Sequence, residues 1–257
     1  MGAAARGPTL ESARMTQNAL KNPVFCALDT TYVTKAVTMA QTLVGKVGGL
    51  KLGMEFFYAN GPAGYRAVAE TGIPLFLDLK LHDIPNTVAG GIRAITPLKP
   101  AILTVHTAGG IAMMKAAKEA SLEGHGAGRG AAPVVVGVTV LTSLDESDLA
   151  AAGVAGSTAD QVRRLAANAQ EAGLDGVVCS PLEVDMLRRD CGPDFKLIVP
   201  GIRPKGAAVG DQKRVLGPAD ALAKGADVLV IGRPITQANS PADAADAIQA
   251  EISAAAS

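Results

Sequence analysis

The chain has 257 residues, 48% of them hydrophobic and 19% charged, which supplies enough apolar material for a substantial core and excludes a disordered chain. Lys plus Arg and Asp plus Glu both number 24, so the zero formal net charge gives no electrostatic case for nucleic acid or an anionic membrane as partner. Aromatic residues are only 3% with no Trp, which argues against base-stacking platforms, and no apolar run is long enough to span a bilayer.

Residues 1–21 precede the first apolar run and are expected to form an N-terminal arm with a short helix, Leu10–Leu20. They lack the apolar core of a secretion signal. From there short β-like runs alternate with Ala-rich helical stretches. Strands are predicted at Val24–Leu28, Gly49–Gly53, Ile73–Leu79 and Ile102–His106, with helices between them near Val33–Leu43, Pro62–Glu70 and Val88–Leu98. A helix near Gly110–Ala120 and a Gly-rich loop, Glu123–Ala132, lead to a fifth strand at Val134–Val140. An insert at Asp145–Thr158 carries a short helix near Glu146–Ala151 and is followed by a helix at Ala159–Ala172. The last strands are predicted at Gly176–Cys179, Lys196–Val199 and Val228–Ile231, with helices near Pro181–Arg189, Ala219–Lys224 and Ala242–Ala254. Strand–helix alternation at this spacing means parallel strands joined by right-handed crossovers. Eight such units in about 250 residues is the size of an α/β (β/α)8 TIM barrel, here one domain over residues 22–257 with the arm below it. A doubly wound open sheet is the competing architecture.

In a barrel of this kind the site lies at the C-terminal ends of the strands. The third strand ends in Asp78-Leu79-Lys80-Leu81-His82-Asp83-Ile84-Pro85-Asn86-Thr87. Asp78 and Lys80 are two apart, so on a regular strand both side chains leave the same face. Desolvating charge is costly unless the charges are paired. An Asp–Lys–Asp cluster at a strand tip therefore suits the placing of an ammonium where negative charge will develop. The first strand exits at Asp29, the second carries Lys51 within an apolar run, the fourth exits at His106-Thr107 and the fifth at Leu141-Thr142-Ser143. The seventh exits at Pro200-Gly201-Ile202-Arg203 and the eighth at Gly232-Arg233-Pro234. Phosphate sites in such barrels commonly use the loops after the last two strands. Arg203 offers a forked donor, backbone N–H groups of Gly232 and Arg233 can face an anion, and the loop with Gly206 and Gly210 can bring Gln212 to it. The expected ligand is a phosphorylated small molecule.

Other polar residues carry blander expectations. Cys26, Cys179 and Cys191 form no CxxC or Cys/His ligand pattern, so neither a zinc site nor a disulfide framework is expected, and a reducing cytoplasmic compartment fits. His82 reads as a solvent-facing or supporting residue, His106 as a hydrogen-bonded core histidine, and His125 as inert.

With these motifs in order, the chain from Pro23 onward resembles the orotidine 5′-phosphate decarboxylase family. The resemblance rests on Asp-x-Lys-x-x-Asp followed by Ile-Pro-x-Thr at 78–87, Ala-Leu-Asp at Asp29, Lys-Leu-Gly at Lys51, Pro-Gly-Ile-Arg at 200–203, Gly-Asp-Gln at 210–212 and Gly-Arg-Pro-Ile at 232–235. It implies decarboxylation of orotidine 5′-phosphate to uridine 5′-phosphate, the last step of pyrimidine synthesis, with no metal and no organic cofactor. By the same resemblance, Lys80 is the proton donor to C6 and Asp78 sits beside the leaving carboxylate. Asp83 is contributed by the neighbouring subunit of a homodimer, with Ile84 and Thr87 lining the shared site. Asp29 and Lys51 hold the ribose, Lys51 also bonding Asp78, and Thr142 contacts the pyrimidine. Pro200 belongs to the substrate site, and Arg203, Gln212, Gly232 and Arg233 bind the phosphate.

The chemistry agrees with the residues. Loss of CO2 from C6 leaves a carbanion with no adjacent carbonyl sink, so a preorganised ammonium is needed to stabilise and then protonate it. Asp78 and Asp83 favour the charged form of Lys80. Lys51 and Lys80 against Asp78 and Asp83 make a neutral quartet, to which the substrate carboxylate adds one negative charge. Two alternatives stay open at the level of sequence. One is a Mg2+-dependent decarboxylase or aldolase of a sugar phosphate, for which Glu55 is the one obvious extra carboxylate near the second and third strands. The other is a non-catalytic nucleotide-phosphate-binding barrel.

Overall fold

The computed structural model describes residues 22–123, 131–204 and 216–255. The predicted arm at 1–21, His125, Gly206, Gly210 and Gln212 lie outside the described residues. Eight parallel strands close on themselves in chain order: β1 Val24–Leu28, β2 Gly49–Gly53, β3 Leu75–Leu81, β4 Ile102–His106, β5 Val134–Val138, β6 Gly176–Val178, β7 Lys196–Val199 and β8 Val228–Ile231. Closure is direct, with Val24, Phe25 and Cys26 of β1 in register with Leu229, Val230 and Ile231 of β8. An open doubly wound sheet has two unpaired edges; the β1–β8 pairing excludes it.

The helices follow the strands around the ring: α1 Val33–Thr42, α2 Met54–Ala69, α3 Pro85–Ile95, α4 Gly110–Leu122, α5 Glu146–Ala151, α6 Thr158–Glu171, α7 Val184–Cys191, α8 Pro218–Ala223, α9 Arg233–Thr236 and α10 Pro241–Ala255. The longer ones each hide one stripe. On α3 the buried residues Val88, Ala89, Ile92 and Ile95 recur at helical spacing and face the strands. Pro85 starts α3 at its first position, where a missing N–H costs nothing, so the helix begins three residues earlier than the apolar periodicity predicts. α2 begins directly at the end of β2 and bends at Gly61, whose φ of 57° leads into Pro62; the predicted helix covered only the part after the bend.

Two apolar cores result. One lies between the ring and its helices, with Phe56, Tyr65 and Leu43 fully buried. The other fills the ring itself with Phe25, Ala27, Phe76, Ile102, Val136, Ile198, Val228 and Val230. Phe25 closes the floor because β2 has no side chain there: a Cβ on Gly49 would sit 2.1 Å from the Phe25 ring. The interior is thus solid below and is free to be polar only at the top.

At the bottom of the ring the same device occurs twice. Asp175, just before β6, accepts the Val135 N–H at 2.7 Å while its own N–H returns to the Val135 carbonyl, and Lys118 Nζ holds the carboxylate at 2.6 Å. Asp227, just before β8, accepts the Leu197 N–H at 2.9 Å, its own N–H returns to the Leu197 carbonyl, and the Arg188 guanidinium holds it at 2.6 Å. Arg188 also donates to the carbonyls of Gly192, Phe195 and Gly225, so it ties α7, β7 and β8 together. Asp227→Ala is expected to destabilise the barrel by about 2 kcal/mol, the usual cost of losing hydrogen bonds to a charged group. Denaturant unfolding checks this: an unchanged midpoint would mean that Arg188 is held well enough by the carbonyls alone.

Candidate active site

Four charged side chains meet at the top of the first three strands. Asp29 follows β1, Lys51 points inward from β2, and Asp78 and Lys80 come from β3. They alternate in sign along a line. Lys51 Nζ lies 3.6 Å from Asp29 Oδ1 and 3.7 Å from Asp78 Oδ2, and Lys80 Nζ lies 2.8 Å from Asp78 Oδ2. The Lys80–Asp78 contact is a charge-assisted hydrogen bond, whereas Lys51 and Asp78 form an ion pair just beyond hydrogen-bond length. Only 11% of the Asp78 side chain and 14% of the Lys51 side chain are exposed, so neither charge has a full water shell and each depends on its partners. Gly53, at the end of β2, leaves room for this: a Cβ there would come within 3.3 Å of the Lys51 ammonium.

The geometry of β3 departs from the regular strand that its sequence predicts. Leu77 is in register with Leu103 of β4, but the next aligned pair is Leu81 with Val105, so Asp78, Leu79 and Lys80 stand opposite Thr104 alone. Lys80 sits in the left-handed region at φ 51°, a conformation that costs an ordinary residue about 1–2 kcal/mol. Strain of this kind persists only where the surroundings over-determine it, and it gathers at functional positions. Thr104, 1% exposed, supplies part of the determination. Its hydroxyl donates to Asp78 Oδ1 at 3.0 Å and accepts the Lys80 N–H at 2.8 Å. The sequence signal for it existed: Thr104 is a polar residue inside the apolar run Ile102–Val105, the same oddity that singled out Lys51.

A cavity of about 240 Å³ opens above Phe76 and is lined by Lys51, Asp78 and Lys80 on one side. Thr142 and Pro200 line it too, as the strand exits predict, together with apolar Val138, Val140 and Cys179, which the sequence reading did not select. The cavity is smaller than the ~300–1,000 Å³ usual for whole-ligand clefts, so a ligand that fills it extends into the mouth. Across the ring from β3, Arg203 follows β7; its backbone N–H donates to Leu216 and its Nη1 to the Ile202 carbonyl. Gly232 and Arg233 open α9 after β8, with Gly232 half-buried and Arg233 exposed.

Asp83, Ile84 and Thr87 do not join the cluster within this chain. All three are exposed on the loop and first turn leading into α3, and Asp83 accepts only the Ile84 N–H among the described residues. Ile84 is 67% exposed, unusual for so large an apolar side chain.

His82 and His106 stack at the mouth, ring centroids 5.4 Å apart and planes 21° from parallel. Burial lowers the His106 pKa below its usual value, and the nearby His82 and Lys80 lower it further. Its Nδ1 accepts the Ala108 N–H, which leaves Nε2 as the protonated nitrogen of the neutral ring. The thiol of Cys26, fully buried on β1, is pushed up to about 12, first by burial and then by Asp29, as an inert core residue requires. Among the described residues no group of three or more His, Cys, Asp and Glu side chains could hold a metal ion.

The chain is similar to known proteins over most of its length. Residues 22–248 match the family model described as orotidine 5′-phosphate decarboxylase / HUMPS family. The orotidine 5′-phosphate decarboxylase of Rhodospirillum rubrum is 57% identical over 241 residues, 93% of this chain and 96% of that protein. The enzyme of the same name from Paramagnetospirillum magneticum is 56% identical over 231 residues, 90% and 98% of the two chains. The crystal structure of orotidine 5′-phosphate decarboxylase from Lactobacillus acidophilus superposes with a TM-score of 0.77 at 37% identity, covering 90% of this chain and 99% of that one. A match across nearly the whole barrel, at identities this high, places the chain in the orotidine 5′-phosphate decarboxylase / HUMPS family.

Proposed function

We propose that the protein converts orotidine 5′-phosphate to uridine 5′-phosphate and CO2. The observation that carries this reading is the Lys80 ammonium, fixed 2.8 Å from Asp78 on the wall of a largely apolar cavity. In the reaction the bond between C6 and its carboxylate breaks and the electron pair stays on C6. Lys80 stabilises that pair and then transfers a proton to C6, after which the amine is reprotonated from solvent. The low-dielectric wall strengthens the attraction at the moment charge develops. Asp78 anchors the ammonium and lies where the departing carboxylate leaves. Repulsion between the two carboxylates adds to the drive, but carbanion stabilisation ranks above it because it acts in the transition state.

The remaining assignments follow the cavity outward. Thr142 and Pro200 contact the pyrimidine end, and Asp29 and Lys51 hold the ribose. Arg203, Gly232, Arg233 and, from outside the described residues, Gln212 take the phosphate. Asp83, Ile84 and Thr87 serve a second subunit: exposed here, they complete its site, and the partner subunit's Asp83 completes this one. The protein is accordingly a homodimer with two equivalent shared sites across an isologous interface. No helix of the described residues is long and apolar enough to cross a membrane, and three free cysteines suit a reducing cytoplasm.

The direct experiment is incubation with orotidine 5′-phosphate while following its ultraviolet absorbance. Persistence of the substrate spectrum would refute the reading and favour a binding role. A chelator is expected to leave the rate unchanged; loss of activity that added Mg2+ restores would favour the metal-dependent sugar-phosphate alternative. The phosphate is remote from the bond that breaks, yet its binding energy lowers the barrier where it is spent on holding the reacting carbon against the charged cluster. Arg233→Ala is therefore expected to raise KM and lower kcat together, by about 10²-fold or more in kcat/KM. A variant in which KM alone changes, with phosphate-free orotidine reacting as fast as the nucleotide, would break the link between phosphate and chemistry.

A further inference from the structure

We infer that Thr104 is a positioning residue for the reaction, acting through the backbone of Lys80 and the carboxylate of Asp78. The effect on turnover rests on the decarboxylase reading; the effect on geometry does not. A threonine hydroxyl has one proton to give and lone pairs to receive. Thr104 uses the proton on Asp78 Oδ1 and a lone pair on the Lys80 N–H. Both bonds are needed because β3 is out of step with β4 here: three β3 residues face Thr104, and the regular ladder has no carbonyl for the displaced Lys80 N–H. A buried N–H without a partner is rare, and Thr104 is the group that satisfies this one. It is 1% exposed, so water does not compete for the hydroxyl.

One oxygen atom thereby sets the two coordinates that matter for proton delivery. Through the Lys80 N–H it holds the backbone at φ 51°, which fixes the direction in which the lysine stem leaves the strand. Through Asp78 Oδ1 it fixes the rotation of the carboxylate, whose other oxygen, Oδ2, holds the Lys80 ammonium. Removing the hydroxyl frees both ends of the Lys80–Asp78 pair while leaving every charge in place. Substrate binding is set elsewhere around the mouth and should change little; the chemical step depends on sub-ångström placement and should change much.

The test compares Thr104→Val, which keeps the shape and removes the hydroxyl, with Thr104→Ser, which keeps the hydroxyl and removes the methyl. Thr104→Val is expected to lose about 10²-fold in kcat, while KM and the affinity for uridine 5′-phosphate stay within about threefold; Thr104→Ser is expected to recover most of the rate. A Thr104→Val enzyme within about twofold of the unmodified protein in kcat overturns the inference, and so does a Thr104→Ser enzyme as slow as Thr104→Val, because packing would then be the cause. If Thr104→Val does not fold, Thr104→Ala against Thr104→Ser makes the same comparison. If the unmodified protein shows no decarboxylation, the reading of the function has failed, and crystal structures still decide the present point. Lys80 is expected to leave the left-handed region, or its amine to move off Asp78, in Thr104→Val; a superimposable backbone with the amine still on Asp78 would overturn it.

Discussion

Lys80→Ala should abolish turnover while the barrel still folds. The alanine keeps a Cβ at the strained backbone position, so the comparison removes the ammonium and leaves the bulge of β3 as it is. Asp78 is not left alone in the variant, since the Thr104 hydroxyl still donates to it and Lys51 remains 3.7 Å away. The thermal midpoint should therefore stay close to that of the unmodified protein. The rate should not. A positioned acid alone is worth about 10²–10⁴-fold, and electrostatic stabilisation of the carbanion adds to it. Orotidine 5′-phosphate consumption, followed by absorbance, checks this: residual activity of even about one per cent would remove Lys80 from the proposed role. Lys80→Arg separates the two contributions. A guanidinium keeps the positive charge but gives up no proton near neutral pH, so it can help the carbanion form without quenching it. The arginine enzyme should be as inactive in product formation as the alanine one if proton delivery is indispensable.

How far the sequence carries such an argument depends on the kind of physics involved. The eight strands were legible because parallel strands covered on both faces read as unbroken apolar runs such as Val134–Val138. Their closure was the expectation from the count of units and the alternation with helices, but an open doubly wound sheet fits the same pattern and only the β1–β8 pairing excludes it. The charged cluster was legible too, since Lys51 and Asp78 interrupt apolar runs, where a charge has no cheap explanation. The bulge was not. Nothing in the residue types marks Lys80 as left-handed, a conformation for which glycine or asparagine is the usual signal, and the two-residue spacing from Asp78 suggested a plain strand instead. The pair does converge, but through an irregularity held by a neighbouring strand. Thr104 stands out as a polar residue in an apolar run, but its role comes from the register of β3 against β4, a non-local property. The start of α2 was missed because Gly53 and Met54 pass from strand to helix with no intervening turn residues. The cavity wall of Val138 and Val140 is apolar sequence among apolar sequence, and only the barrel's geometry turns it toward a site.

The exposed position of Asp83 yields the sharpest test of the shared site. In a single chain Lys80 has Asp78 beside it, whereas Asp83 stands on the open surface with Ile84, 67% exposed, next to it. If each site takes Lys80 from one subunit and the partner subunit's Asp83, then Lys80→Ala and Asp83→Ala proteins should each be nearly inactive alone. Mixed under conditions that let subunits exchange, they should regain activity. In a hybrid dimer one site carries both substitutions and the other carries neither. Random exchange makes about half the dimers hybrid, so about a quarter of all sites become native and activity should rise to about a quarter of the unmodified level. A site confined to one chain predicts no recovery, because no chain in the mixture would hold both groups. The recovery should also fall away on dilution below the dimer dissociation constant, as activity that depends on association must. Recovery between a quarter and a half would mean that hybrid dimers form in preference to the parental ones, and absence of recovery despite proven exchange would confine Asp83 to a structural part at the start of α3.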